Sequence, residues 1–215
     1  MIMISKKESL LLVLVVLGGS VVRVGADMAQ ADDTVWLEAR ALCRKADALP
    51  EDEAAPVYEQ AYKKAQEAVV VEPQSAAPHY YLGLTAAKIA RHAGAFSKLK
   101  YVHETEREMQ KVIQIEPGFS DAGAYRILGK IDYEMPGALG GSNKRAKEYL
   151  EKAVALAPGN ALNHLYLAEV LQAMGDKKGA RAEAFRVTVM PSEGETSRDG
   201  SPKDKAQKLL DSLGD

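Results

Sequence analysis

The sequence predicts an all-α protein, a stack of helical hairpins that ends in a capping helix. Three observations predict this class. Alanine, which favours helices over strands, supplies 33 of the 215 residues. Four amphipathic segments each run into a proline, which cannot continue a helix. After three of these prolines a second pattern recurs, in which a ring side chain is followed by leucine and then by a small residue.

Composition excludes several classes of function. The chain carries 28 Lys and Arg against 30 Asp and Glu, a formal net charge of -2, and therefore lacks the basic footprint of a nucleic-acid-binding protein. The single cysteine, Cys43, excludes an internal disulfide framework and a cysteine-rich zinc site.

The first 26 residues have the pattern of a secretory signal peptide. Two lysines precede the apolar run 10–17, and small residues stand before a cleavage site after Ala26. The run is shorter than the ~20 residues that span a bilayer. We therefore expect cleavage after Ala26 or, as a second choice, after Ala31, and a periplasmic or secreted protein that does not insert into the membrane. The alternative is an uncleaved segment that anchors the protein to the inner membrane.

The chain from residue 27 to residue 215 divides into repeated units. Prolines 158 and 191 are 33 residues apart, whereas the earlier spacings of 44 and 41 imply insertions at 91–103 and 135–143. The shared positions hold the rings His79, Tyr125 and His164, the leucines Leu82, Leu128 and Leu167, and the small residues Gly83, Gly129 and Ala168. We expect units at about 33–73, 76–117, 119–158 and 160–191, and a capping helix at 202–213. These patterns resemble the tetratricopeptide repeat, a helix–turn–helix unit of ~34 residues.

Local signals set several helix starts. Pro50 precedes three acidic residues, which favour the positive end of a helix dipole. Ser142 is placed to cap the helix after the glycine-rich insertion, and Ser201 with Pro202 forms the N-cap and first residue of the last helix.

Two narrower resemblances concern the partner. The LGGS loop from Leu139 to Ser142, followed by Lys144 and Ala146, is similar to exported T components of TRAP (tripartite ATP-independent periplasmic) transporters. That resemblance implies a periplasmic accessory that engages a solute-binding protein. A weaker one, through IQIEPGFSDAG at 113–123, is to the repeat domain of the eukaryotic regulators of microtubule dynamics.

Side chains suited to chemistry are few. His79 and His164 occupy the repeat position of Tyr125, which packing explains, and Glu104, Glu106 and Glu108 form a charged run typical of a solvated helix face. His92 and His103 lack ligand-spaced partners, and Cys43 is expected to be a small buried residue. No catalytic motif occurs in the sequence. We therefore expect no catalytic residues, cofactor or metal, and we place an enzymatic function third, after the two binding functions given below.

The remaining candidates for function are surface residues that could bind a partner. The resemblance to the tetratricopeptide repeat implies a right-handed superhelical stack in which the first helix of each hairpin lines a concave groove. Counting from the small residue of each unit predicts which residues face this groove. The predicted groove residues are Tyr80, Leu84, Lys88, Arg126, Lys130, Tyr133, Glu134, Leu165, Glu169 and Gln172. The predicted loop residues are Leu139, Gly140, Gly141 and Ser142. Two tyrosines with Lys88, Arg126 and Lys130 make a patch suited to an acidic or C-terminal carboxylate group, because tyrosine and arginine are favoured anchors in interfaces and arginine binds carboxylates in a bidentate manner. The alternative is a solvated concave face with no particular partner preference.

The sequence therefore predicts an exported, non-catalytic protein-binding or scaffolding module. Its first version is the transporter accessory, which binds a solute-binding protein. The alternative is a general periplasmic assembly scaffold, and a homo-oligomer is compatible with either.

Overall fold

Consecutive helices pair into hairpins, as a computed structural model of the chain shows. The structure describes the backbone of residues 16–17, 20–21, 26–191 and 200–214, and the side chains of 35–94, 97–191 and 200–214. The predicted signal segment, 1–26, lies almost wholly outside the described residues. The helices are α1 (Ala26–Ala48), α2 (Glu51–Val71), α3 (Ala76–His92), α4 (Ala95–Ile115), α5 (Phe119–Glu134), α6 (Asn143–Leu156), α7 (Ala161–Ala173), α8 (Lys177–Val189) and α9 (Pro202–Leu213).

Two short strands precede the helices. β1 (Val16–Leu17) pairs with β2 (Ser20–Val21) in an antiparallel register that places Val16 opposite Val21. The rest of the described regular structure is helical, so the predicted all-α stack of hairpins is confirmed.

Side-chain caps begin four of the helices. Ser142 accepts a hydrogen bond from the Arg145 amide, and Asn160 and Asp176 cap α7 and α8 in the same way. Ser201 and Asp204 form a capping box at the start of α9, with Pro202 at the first helical position. The predicted roles of Ser142, Ser201 and Pro202 are therefore confirmed.

The helices form two layers. α1, α3, α5, α7 and α9 contact one another in sequence, and we call them the inner layer; α2, α4, α6 and α8 pack outside them. Small residues let the layers approach closely. A Cβ added to Gly83 would lie 2.4 Å from the methyl carbon of Met109, and one added to Gly129 would lie 2.7 Å from Cγ of Leu150.

The two insertions have different effects. Only Ala93 and Gly94 separate α3 from α4, so the insertion at 91–103 lengthens the second hairpin instead of forming a loop. The insertion at 135–143 forms a loop with a short 3-10 turn, Gly137–Leu139. No helix among the described residues is both long and apolar enough to cross a membrane.

Candidate functional site

A cavity of about 410 Å³ opens on the inner layer, and we call it the inner cavity. Residues of α3, α4, α5, α7 and α9 line it, so helices far apart in the sequence build one site. Its apolar lining includes Leu84, Ile127, Ile131, Leu162 and Tyr166. Cavities of 300–1,000 Å³ with an apolar lining and a few convergent polar groups are typical ligand sites.

Positive charge is concentrated in the inner cavity. Two acidic residues, Glu134 and Glu169, line it together with six basic ones: Lys88, Arg91, Lys98, Arg126, Lys130 and Lys205. The whole chain has a net charge of only -2. The excess of cations is therefore a local property of the cavity.

Two carboxylates of the protein compensate the positive charge of Lys130. Its Nζ lies 2.9 Å from Glu169 and 3.4 Å from Glu134, and 4.5 Å from the centre of the Tyr166 ring. Burial opposes the charged ammonium, but the attraction of both carboxylates outweighs it and raises the pKa of Lys130. Burial is also the main cause that raises the pKa of Tyr166.

The positive charge of Lys88 is likewise compensated by a carboxylate. Its Nζ lies 2.5 Å from Oδ1 of Asp47 on α1 and 5.6 Å from the centre of the Tyr58 ring. The predicted groove residues Lys88 and Lys130 thus line the cavity, but each already holds an acidic partner.

The positive charge of Arg126 has no acidic partner among the described residues, because the groups that it contacts are neutral. Its Nη1 donates to Oδ1 of Asn163 at 2.9 Å and to the Asp121 carbonyl at 3.2 Å. Asn163 is fully buried, and its amide donates to the carbonyls of Asp121, Ala153 and Ala157. This network holds the guanidinium at the cavity wall without neutralising it.

The same network fixes an unusual turn inside α5. Ser120, Asp121 and Ala122 have φ of 52°, 55° and 57°, the left-handed region that residues with a Cβ rarely adopt. His79 and His164 each follow a proline by six residues, whereas Tyr125 follows Pro117 by eight. The turn accommodates the two extra residues.

The predicted groove residues separate into three groups. Leu84, Lys88, Arg126, Lys130, Glu134 and Glu169 line the cavity. Tyr80 also lines it but is only 5% exposed, because its ring packs edge-on against Tyr81 and Phe119. Gln172 donates to Ser212 of α9, and the Tyr133 ring lies 5.5 Å from Nζ of Lys130.

Two groove predictions therefore need correction. Leu165 is fully buried in a cluster with Ala168, Ala184 and Val187, so it faces the core and not the groove. Tyr80 is a core residue with one edge at the cavity. In both hairpins the position after the histidine packs between helices, where a large side chain excludes water.

The predicted binding loop is held by its own contacts. Arg145 donates to both carboxylate oxygens of Asp132 and to the Gly140 carbonyl. The Ser142 amide donates to the Asp132 carbonyl at 2.8 Å. A Cβ on Gly141 would lie 1.8 Å from the Met135 carbonyl oxygen.

Only one of the four predicted loop residues presents a large side chain. Leu139 is 54% exposed. Gly140 (φ 99°), Gly141 and Ser142 instead allow the chain to turn and cap α6. The loop is thus a fixed support for one apolar side chain.

Groups suited to catalysis or metal binding are paired or buried. His92 lies 3.2 Å from Glu51, and His103 lies 3.1 Å from Glu106. The described residues contain no group of three or more His, Cys, Asp or Glu placed to hold a metal ion. Cys43 is 3% exposed, and burial raises its pKa to about 12.

Sequence reasoning missed several cavity residues, among them Arg91, Lys98, Tyr166 and Lys205. The sequence does contain a signal for Tyr166, because this residue occupies the same repeat position as Ile127, which also lines the cavity. Arg91 and Lys98 lie in the insertion that lengthens the second hairpin. Lys205 lies on a helix that sequence reasoning treated only as a cap.

Comparisons with known proteins agree with this architecture. The family model for Regulator of microtubule dynamics protein 1-3 matches residues 22–138, and a tetratricopeptide repeat model matches residues 140–188. The fold is similar to that of a thermophilic TPR protein from Thermus thermophilus, with a TM-score of 0.54 and 17% identity, covering 86% of this chain and 97% of that chain. None of the curated proteins matches the chain.

These matches bear on the two resemblances differently. None of them is a TRAP component, so that likeness stays a prediction. The first family model covers more than half of the 215 residues. The chain therefore belongs to the Regulator of microtubule dynamics protein 1-3 family and carries a tetratricopeptide repeat after the matched region.

Proposed function

We propose that the protein is a non-catalytic protein-binding module whose inner cavity takes an acidic segment of a partner protein. The observation that carries the proposal is Arg126, which two neutral groups hold at the cavity wall with its charge uncompensated. Arginine held in this way is prepared to bind a carboxylate in a bidentate manner.

The composition of the cavity supports binding over catalysis. Among the described lining residues there is no Cys, His or Ser, and the Thr105 hydroxyl donates to the Gly83 carbonyl at 3.1 Å. The described lining therefore offers no thiol or serine nucleophile beside a histidine base. Tetratricopeptide repeats are typically interaction modules, and stacked repeats present extended concave surfaces for that purpose.

Binding of synthetic peptides tests the proposal. We would measure fluorescence anisotropy of labelled eight-residue peptides rich in Glu and Leu, with matched peptides in which Gln replaces Glu. The Glu peptides should bind more tightly, and their affinity should fall as salt rises, because exposed charges are screened beyond ~8–10 Å at physiological ionic strength. Equal binding of Glu and Gln peptides, or no binding of either, would contradict the proposal.

One candidate setting is the periplasm, as an accessory of a TRAP-type transporter or as an assembly scaffold. The short apolar run 10–17 and the small residues before Ala26 support export. The expected mature chain begins at Asp27, or at Asp32 with the second cleavage site. Intact-mass measurement of the soluble periplasmic fraction tests this, and a membrane-bound chain that retains residues 1–26 would contradict it.

The other candidate setting is the microtubule cytoskeleton. The family to which the chain belongs is named for the regulation of microtubule dynamics. In this setting the partner is tubulin or a protein bound to it. Co-sedimentation of the protein with polymerised tubulin tests this setting, and recovery of all the protein in the supernatant would contradict it.

A further inference from the structure

Helix α9 contributes one residue, Lys205, to the lining of the inner cavity. Lys205 of α9 lines the same space as Arg91 of α3 and Lys98 of α4, more than 100 residues earlier in the chain. α9 contacts α7 and α8. The stack therefore brings the last helix and the second hairpin to one cavity, with α5 and α7 between α3 and α9 in the inner layer.

The cations on these two sides, like Arg126 between them, have no acidic partner among the described residues. Among the described residues, Lys88 pairs with Asp47 and Lys130 with Glu169 and Glu134, whereas Arg91, Lys98 and Lys205 form no ion pair with a described carboxylate. A ligand can therefore place carboxylates against unpaired cations at both ends of the cavity as well as at Arg126. Lys130, between the ends, is already paired with Glu169 and Glu134.

The separation of the two ends sets the length of the ligand. α5 and α7 lie between α3 and α9 in the inner layer. Neighbouring packed helices are about 8–10 Å apart, so one carboxylate cannot contact both ends. An extended peptide, at about 3.3 Å per residue, reaches across with several residues between its two acidic groups.

The floor between the ends is apolar. Leu84, Ile127, Ile131 and Leu162 line it, and all four are partly exposed. A large apolar side chain of the ligand would cover these residues, and its removal from water would favour binding.

We propose that the inner cavity recognises an extended peptide with an acidic residue at each end and a large apolar residue between them, and that Lys205 makes α9 part of the binding site. The inference rests on the proposed function. It adds the spacing of the acidic groups and the residues that meet each of them, Arg91 and Lys98 at one end and Lys205 at the other.

The test uses the full chain and labelled peptides that hold two glutamates, separated by two to six residues around a central leucine. Lys205→Gln and Lys98→Gln are compared with Lys208→Gln and Lys100→Gln, which remove the same charge from the same helices outside the cavity. Each cavity variant should weaken the best peptide about tenfold, the range of one hydrogen bond to a charged group. Each control should change its affinity less than twofold. Circular dichroism confirms that all four variants fold.

Peptides that lack one glutamate identify the ends. A peptide with Gln in place of the glutamate that meets α9 should bind Lys205→Gln and the unmodified protein equally, while Lys98→Gln still weakens it. If Lys205→Gln behaves like Lys208→Gln while acidic peptides still bind, the role of α9 is wrong and the proposed function stands. If glutarate displaces the peptide at equal concentration, the site takes small anions and the peptide inference is wrong. If no acidic peptide binds the unmodified protein, both proposals fall.

Discussion

Nδ1 of His79 lies 2.6 Å from a carboxylate oxygen of Glu108, and Nε2 of the same ring lies 3.0 Å from the Pro73 carbonyl oxygen. His164 repeats the arrangement with Glu183 at 2.5 Å and Pro158 at 2.9 Å. Each histidine thus joins both helices of its hairpin to the preceding turn. Packing alone, as expected from the sequence, does not describe them, and Glu108 of the supposed solvated run is buried.

Removing the ring should cost more than removing the charge. His79→Ala leaves the buried Glu108 without its ring partner and the Pro73 carbonyl without a donor, so we expect a loss of about 2–3 kcal/mol in unfolding free energy. Glu108→Gln supplies an amide N–H that donates to Nδ1 while Nε2–H still donates to Pro73, so its loss should stay below about 1 kcal/mol. Urea denaturation measures both. Equal losses would mean that the carboxylate charge, and not the bonded network, stabilises the hairpin.

Local signals predicted helices well, because caps and prolines act within one turn. The roles of Ser201 as N-cap and of Pro202 as first helical residue follow from their local sequence alone. The inner cavity depends instead on how four inner helices stack, and no local pattern reports that Lys205 and Lys98 line the same cavity. The change in proline-to-ring spacing from six residues at His79 to eight at Tyr125 was readable, but only as an insertion. That it produces a left-handed turn follows from the contacts of Asn163.

Gly141 is the glycine most constrained by close approach. A Cβ there would lie 1.8 Å from the backbone oxygen of Met135, which cannot move without displacing the loop. Gly141→Ala should therefore destabilise the protein by about 1–3 kcal/mol, the cost of overpacking. Gly137→Ala, where a Cβ meets nothing within 4 Å, is the matched control and should change stability by at most about 0.5 kcal/mol. Thermal unfolding followed by circular dichroism compares them, and equal midpoints would show that the loop repacks freely.

Shortening the loop at 135–143 should destabilise the protein. A two-residue turn removes the Ser142 cap and the Gly140 carbonyl that Arg145 contacts, so we expect a loss of about 1–3 kcal/mol. Leu139→Ala should cost at most about 0.5 kcal/mol, since the side chain is 54% exposed. If this loop binds a partner, Leu139→Ala should weaken capture of that partner with no change in unfolding. A shortened loop with unchanged stability would contradict the structural role.

Cys43 should be unreactive in the folded protein. Burial raises its pKa to about 12, with Asp47 adding to the shift and Lys88 opposing it, and only the thiolate attacks thiol reagents. At pH 8 the native chain should not react with a disulfide reagent over an hour, whereas the chain in urea should react at once. Ala138→Cys, at an exposed loop position, provides the positive control. Rapid labelling of Cys43 in the native chain would mean that the first hairpin opens.

Because of the left-handed turn in α5, a substitution to glycine should stabilise the protein there. Ser120 is exposed and has φ of 52°, a conformation that costs a residue with a Cβ roughly 1–2 kcal/mol and costs glycine nothing. Part of that gain is lost because glycine has more freedom in the unfolded chain. Ser120→Gly should therefore stabilise the protein by about 0.5–1 kcal/mol.

Ser97 provides the matched control for this turn. It is also exposed but lies in the right-handed helix α4, where glycine is unfavourable. Ser97→Gly should destabilise the protein by about 0.5 kcal/mol, so the same substitution should change stability in opposite directions at the two sites. Urea denaturation of both variants beside the unmodified chain gives the two signs. A loss at both positions would mean that residues 120–122 adopt ordinary helical geometry in solution, and that Arg126 and Asn163 do not fix a strained turn.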